Sequence, residues 1–416
     1  MSPRFCLSAV LCLLPVAAAT LPKTGPEKVG LSAERMKRVD RLMQRYIDKG
    51  EIAGAVTLVA RKGQIAHLNA QGVMDLDSKR PMTTDAIFRL ASMTKPITSL
   101  AVMMLHEEGH FLLKDPISKF LPEFKNPQVA VANAPNERAG GGFRTVPAER
   151  EITIRDLLTH TSGLASGTAG PTMALVQKLN AARKPEDLLA SYTVKLAALP
   201  LNFQPGTHWE YGPATDVLGR LVEVVSGQTL DQFFRQRILD PLGMTDTHFY
   251  LPEDRLPRLT TAYEKAEGQL RKLTALGPAS RTAKFYAGGG GLAGTAEDYL
   301  RFCQMMLNGG QLDGKRLVSP KTIELMRANH IGDLPMWQDT LSGYHFGLGL
   351  RVRASNGQAA VLGSEGSYGW GGAYGTYFWI DPKEQMIGIM MIQLMPYAHM
   401  NIRPEFQNVA TQAIVE

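Results

Sequence analysis

Between residues 32 and 47 the apolar side chains Met36, Val39, Leu42, Met43, Tyr46 and Ile47 recur three and four apart. That spacing lays one buried stripe along a helix, and Ser32 stands where an N-cap belongs. The period then changes. Residues 53–61 and 64–72 read as two strands folded back at Arg61-Lys62-Gly63. A second helix opens at Ser92. Residues 126–150, rich in Pro, Asn and Gly, read as a long loop. From 151 to about 245 helical spacing dominates, as in 153–158, 185–199 and 213–225, the last stopped by Gly227. Strand spacing returns at 346–352 and 373–380, and Asp381-Pro382-Lys383-Glu384 turns the chain into 386–393. A final helix over about 404–415 sets Phe406, Val409, Ala410, Ala413 and Ile414 on one face.

Strand patterns at both ends with helices between them predict an α/β (α+β) fold. One antiparallel sheet is built from both termini and flanked by helices, and a mainly helical unit is inserted. The boundaries fall at about 20–100 and 285–416 for the sheet-bearing part and 101–284 for the insertion. A groove between the two parts is the expected place for a ligand.

Composition narrows the class. The 416 residues are 44% hydrophobic and 20% charged, with a formal charge of +6. These values fit a folded enzyme and exclude wholesale disorder. The basic residues are scattered and not interleaved with aromatics, so no nucleic-acid surface is expected. Arg4, the apolar run over 5–16 and Ala17-Ala18-Ala19 have the form of a secretory signal cleaved near Ala19. The expected location is periplasmic or secreted, with no stable membrane span. An uncleaved anchor is the alternative. A lipoprotein signal is disfavoured because Leu11 precedes Cys12. Cys6 and Cys12 leave with the signal, and Cys303 sits in an apolar helical pattern as a buried core thiol.

Two catalytic signatures overlap in SMTKPITSLAVMMLHEEGH, residues 92–110. His106-Glu107-Glu108-Gly109-His110 spells a zinc pattern, which works only if both imidazoles project from one continuous helix. Gly109 inside the motif reads instead as a left-handed helix terminus, which separates the rings. Ser92-Met93-Thr94-Lys95 places a hydroxyl and an ammonium three residues apart, on one helical face. A serine needs such a proton partner to act as a nucleophile. The simpler alternative is a Ser cap followed by a solvated Lys.

The wider pattern resolves the choice. Phe88–Thr98 around Ser92 and Lys95, the stretch Leu157-Leu158-Thr159-His160-Thr161-Ser162-Gly163-Leu164, and Pro205-Gly206-Thr207-His208-Trp209-Glu210-Tyr211 resemble the serine β-lactamase-like superfamily. So do 289–308 and Gly369-Trp370-Gly371-Gly372-Ala373. The nearest likeness is to the family VIII carboxylesterases, relatives of class C β-lactamases and DD-peptidases. It spans essentially the whole chain beyond residue 19, in the family's order. The resemblance implies catalytic roles for Ser92, Lys95 and Tyr211. Ser92 attacks the acyl carbon, and Lys95 and Tyr211 share the proton work. The backbone N–H groups of Ser92 and Ala373 form the oxyanion hole, and Trp370, Gly371 and Gly372 contact substrate. A tyrosine buried for packing and a groove-wall tryptophan are the bland alternatives for Tyr211 and Trp370. No cofactor or metal is implied, and the expected partner is a small-molecule ester or β-lactam.

The departures from the lactamase pattern favour esters. Pro213 stands where lactamases carry an amide-bearing Asn, and Trp370 where they carry a carboxylate-binding Lys. A class C-like β-lactamase, a D-amino-acid peptidase and a penicillin-binding-type protein with little turnover are the rival readings. Three further matches are decoys. Lys23-Thr24-Gly25 precedes the first helix, and Leu21–Gly25 imitates a sortase signal without a hydrophobic tail after it. Gly289-Gly290-Gly291-Leu292-Ala293-Gly294 lacks a β-α-β unit; those glycines mark a tight backbone approach beside the groove. No Gly-x-Ser-x-Gly elbow occurs.

Overall fold

The structure, a computed structural model, describes residues 21–133, 142–168, 170–184, 186–274, 284–336 and 342–416. The expected signal segment lies outside the described residues.

Eight strands form one antiparallel sheet. They are β1 Gly54–Arg61, β2 Gln64–Asp75, β3 Arg80–Pro81, β4 Tyr344–Phe346, β5 Arg351–Arg353, β6 Tyr368–Gly371, β7 Tyr377–Asp381 and β8 Met386–Met391. The spatial order is β4-β5-β6-β7-β8-β1-β2-β3. The two ends of the sequence therefore meet in the middle of the sheet, where Leu58 of β1 pairs with Ile389 of β8. The β1–β2 turn takes Lys62 and Gly63 at positive φ, 51° and 74°, the geometry that matches strand twist in a two-residue hairpin.

Both faces of the sheet are covered. Helices α1 (Ala33–Asp48) and α6 (Ile402–Thr411) lie on one face, where Met43, Ala55, Val59, Trp379, Met390 and Phe406 make one core. Val56, Leu58, Phe378 and Ile389, the alternate positions of the same strands, face a second and larger core. There they meet α2 (Thr94–Glu107) and α5 (Ala296–Leu307). Burial on both sides explains why β1, β7 and β8 are almost uniformly apolar. Cys303 of α5 is fully buried in the larger core, and burial pushes its thiol well up.

Several boundaries differ from the sequence reading. The stretch 126–150 is not all loop, because Gln128–Ala132 pairs with Phe143–Pro147, while 134–141 lie outside the described residues. The alternation over 346–352 is interrupted: Gly347 N donates to Leu350 O at 2.8 Å, which closes a tight turn between β4 and β5. Residues 373–376 are also turn, with Gly375 at φ +88°, and β7 begins only at Tyr377. The final helix starts at Ile402 and ends at Thr411. Helix α4 (Ala214–Ser226) ends as its sequence predicts, with Gly227 at φ +70°.

Candidate active site

Ser92 sits on a short 3-10 turn, Ala91–Met93, and not on the first turn of α2. The turn opens with Ala91 at φ +46°, a left-handed conformation that costs a non-glycine residue about 1–3 kcal/mol. Neighbouring segments hold it there. Leu90 N donates to Leu292 O at 2.9 Å, Leu292 N donates to Thr94 Oγ1 at 3.1 Å, and Tyr299 Oη donates to Met93 O at 2.8 Å. These contacts fix the serine between α5 and a buried α2, with its side chain part-exposed on a cavity of about 520 Å³.

Lys95 is 6% exposed. Its Nζ donates to Ser92 Oγ at 3.2 Å and to Gly289 O at 2.5 Å. It also lies over the Tyr211 ring, 4.7 Å from the centroid. Gly289 in turn donates its N–H to Asp216 Oδ1 at 2.8 Å. Asp216 belongs to the first turn of α4, five residues after Tyr211. Burial pushes its carboxyl up, while the Gly289 N–H and the Lys95 charge pull it down. The glycine run is thus the tight backbone approach its composition suggests. Any side chain at Gly288 would put Cβ 2.7 Å from Thr215 O.

Tyr211 is placed by a segment fifty residues earlier. Helix α3 (Ile154–Leu158) carries a Thr153–Asp156 capping box and runs into a turn with His160 at φ +57° and Gly163 at φ +78°. That turn holds the 202–210 segment: Asn202 N donates to Gly163 O, Gly206 N to Thr161 O and Glu210 N to His160 O, at 2.7, 2.7 and 2.9 Å. The His160 ring then packs 4.9 Å from Tyr211 and 5.9 Å from Trp209. Burial, and next the Lys95 charge, push the imidazole down to about 3. It is neutral wherever the fold persists near neutral pH.

The third element is the end of β6 and the turn after it. Trp370 is 6% exposed and packs 5.5 Å from Tyr211 and 5.3 Å from Phe346. Gly372 donates its N–H to Thr376 O at 2.8 Å, and a Cβ there would lie 2.3 Å from Leu90 O. Only glycine allows this strand end to approach the serine turn so closely. Ser92, Tyr211, Trp370, Gly371, Gly372 and Ala373 all line the one cavity. The structure thus brings together Ser92, Lys95, Tyr211, Trp370, Gly371, Gly372 and Ala373, the residues that the resemblance assigns to the site. Such an arrangement can deliver a hydroxyl with a proton partner at hand, beneath an apolar wall.

The competing zinc signature is taken apart by the backbone. Helix α2 ends at Glu107, and Gly109 adopts φ +83°. His106 Nδ1 is paired with Phe111 O at 2.9 Å, and His110 Nε2 lies 3.6 Å from Glu108. Lys23 is exposed, 3.8 Å from Glu297, and is not among the residues that line the cavity. Sequence reasoning did not single out His160 or Asp216 as contributors, and it named Gly289 only as one of a run of glycines beside the groove. The signal for Asp216 was present, an acid in a buried first turn beside Tyr211. Nothing local marks Gly289 among its neighbouring glycines.

Residues 39–411 match the Beta-lactamase family. Protein Rv1367c of Mycobacterium tuberculosis is 40% identical over 369 residues, covering 85% of this chain and 89% of that protein. Esterase EstB of Burkholderia gladioli is 30% identical over 392 residues, covering 88% and 92%. Among solved structures, EstCE1, a hydrolase with promiscuous acyltransferase activity, superposes with a TM-score of 0.74 at 28% identity, covering 92% of this chain and 99% of that one. With its sheet, its serine–lysine pair and these relatives, the chain belongs to the Beta-lactamase family and is a hydrolase of the β-lactamase fold.

Proposed function

We propose that this hydrolase is a serine carboxylesterase acting on short-chain esters. The observation that carries the reading is the Lys95 Nζ to Ser92 Oγ hydrogen bond of 3.2 Å at the floor of an aromatic-walled cavity. In the acylation step Ser92 Oγ bonds to the ester carbonyl carbon and its proton passes to the Lys95–Tyr211 pair. The carbonyl electron pair moves to oxygen, stabilised by the Ser92 and Ala373 N–H groups. Collapse expels the alkoxide, which takes up that proton and leaves as the alcohol. Water then repeats the sequence on the acyl-enzyme and releases the acid. EstB, an esterase by name at 30% identity, supports the ester class. So do the sequence positions of Trp370 and Pro213, which leave the lysine and asparagine places of lactamases without those polar groups. Losing one charge-assisted contact is worth roughly 10- to 150-fold in affinity.

The test sets a p-nitrophenyl ester of short acyl chain beside nitrocefin and a D-Ala-D-Ala peptide. The ester should lead in kcat/KM by at least ~10²-fold. Equal or better turnover of nitrocefin would replace this reading with the lactamase one. Export through the segment 1–19 belongs to the same proposal, and N-terminal sequencing of protein recovered from intact cells checks it.

A further inference from the structure

The turn that carries Ala373 is gripped by an arginine from the far end of the chain. Arg403 belongs to the first turn of α6, where the helix dipole disfavours a positive charge. Its Nη2 donates to Gly372 O at 2.5 Å and to Thr376 O at 2.7 Å. The guanidinium lies 4.0 Å from the centre of the Tyr397 ring and 5.6 Å from that of Tyr377. A Cβ at Gly371 would lie 2.5 Å from Arg403 Cζ, so the end of β6 packs on the guanidinium itself.

No acid answers this charge. Among the described residues Arg403 forms no ion pair, and its Nε is buried without a hydrogen-bond partner. Glu405, two residues on, is taken by Arg45. No Asp or Glu is among the lining residues of the cavity that Arg403 shares with Ser92, Gly372 and Ala373. A charge withdrawn from water is costly unless it is met by hydrogen bonds. Here it is met by two backbone carbonyls, both in the 372–376 turn. Those oxygens also close the turn on itself, because Thr376 O accepts from Gly372 N and Gly372 O from Gly375 N, at 2.8 and 3.0 Å.

The Gly372 carbonyl and the Ala373 N–H are two ends of one peptide group. In a planar trans peptide they point in opposite directions. A donor fixed on the oxygen therefore aims the N–H. A charged donor also polarises the group, so that its N–H donates more strongly.

Building on the reading that the Ala373 N–H receives the oxyanion, we propose that Arg403 is a positioning residue of the oxyanion hole. It acts through the Gly372–Ala373 peptide and needs no contact with the reacting atoms. Its pull on Gly372 O counts most when negative charge has developed on the substrate oxygen, and little when that oxygen is still a neutral carbonyl. Its loss therefore falls on kcat.

The test uses p-nitrophenyl butyrate and 1,1,1-trifluoropentan-2-one, a ketone with the same acyl chain whose adduct with a serine carries the oxyanion. Active sites are counted by fluorophosphonate titration, so misfolded protein does not enter kcat. Arg403→Met should lower kcat about 10- to 100-fold with KM little changed, and should weaken ketone inhibition by the same factor as kcat/KM. Arg403→Lys, which keeps the charge without the planar fork, should fall between, and it decides by the same criteria if Arg403→Met does not fold. Wild-type kcat, or a lowered kcat with ketone inhibition unchanged, would overturn the proposal and leave the esterase reading standing. If the wild-type protein cleaves no ester, the esterase reading fails instead. The brace is then read from the rate at which a fluorophosphonate labels Ser92, followed by intact mass. A rate at least ~10-fold lower in Arg403→Met supports it, and an equal rate refutes it. No labelling of the wild-type protein would overturn both.

Discussion

Lys95 Nζ stands 3.2 Å from Ser92 Oγ, and its other hydrogen bond runs to Gly289 O at 2.5 Å. Lys95 Nζ is thereby held between the carbonyl of Gly289 and the hydroxyl of Ser92. Ser92→Ala should lower kcat by at least ~10³-fold, because it removes the proposed nucleophile. Lys95→Met should cost a similar factor while leaving the hydroxyl in place. A pre-steady-state burst with a p-nitrophenyl ester distinguishes them: absent in Ser92→Ala, slowed in Lys95→Met. Esterase activity retained in Ser92→Ala would rule out an acyl-enzyme on this serine.

His160 predicts an acid limit to stability. Its imidazole is pushed down to about 3 by burial and the Lys95 charge, against an unfolded value of ~6.5. Below ~6.5 the unfolded chain gains a proton that the folded chain refuses. The stability due to neutral His160 is therefore intact above that pH and falls on acidification towards 3, at about 1.4 kcal/mol per pH unit. In urea titrations, the unfolding free energy of the wild-type protein minus that of His160→Gln should decline with this slope between pH 6 and 4. A difference independent of pH would show that the imidazole is not the group responsible.

Gly372 predicts a catalytic defect without lost binding. A Cβ at this position would lie 2.2 Å from Thr376 Oγ1 and 2.3 Å from Leu90 O. Leu90 is itself tied to Leu292, so the strand end must move away from the serine turn. Gly372→Ala should carry Ala373 N–H out of range of the developing oxyanion and lower kcat by about 10²-fold with little change in KM. Steady-state kinetics on one ester decide it, and wild-type kcat would mean that the strand end has no part in oxyanion binding.

The backbone at Gly109 predicts indifference to chelators. His106 is occupied by Phe111 O and His110 lies beyond the end of α2. Prolonged EDTA treatment and His106→Ala should each leave ester hydrolysis intact. Activity lost on chelation and restored by zinc would return the metal signature to consideration.

The sequence by itself determined what depends on neighbours along the chain. Ser92 and Lys95 share a side because three residues of helical winding bring them together. Gly109 ends α2 because only a residue without Cβ takes its positive φ readily. Strand spacing at both ends of the chain, with helical spacing between, points to one antiparallel sheet built from both termini. Tertiary structure decided everything that rests on contact between distant segments. Asp216 and Lys95 are joined through the backbone N–H and C=O of Gly289, though 73 residues separate Asp216 from that glycine. The turn at His160 carries Tyr211 by backbone hydrogen bonds, which leave no mark in side-chain periodicity.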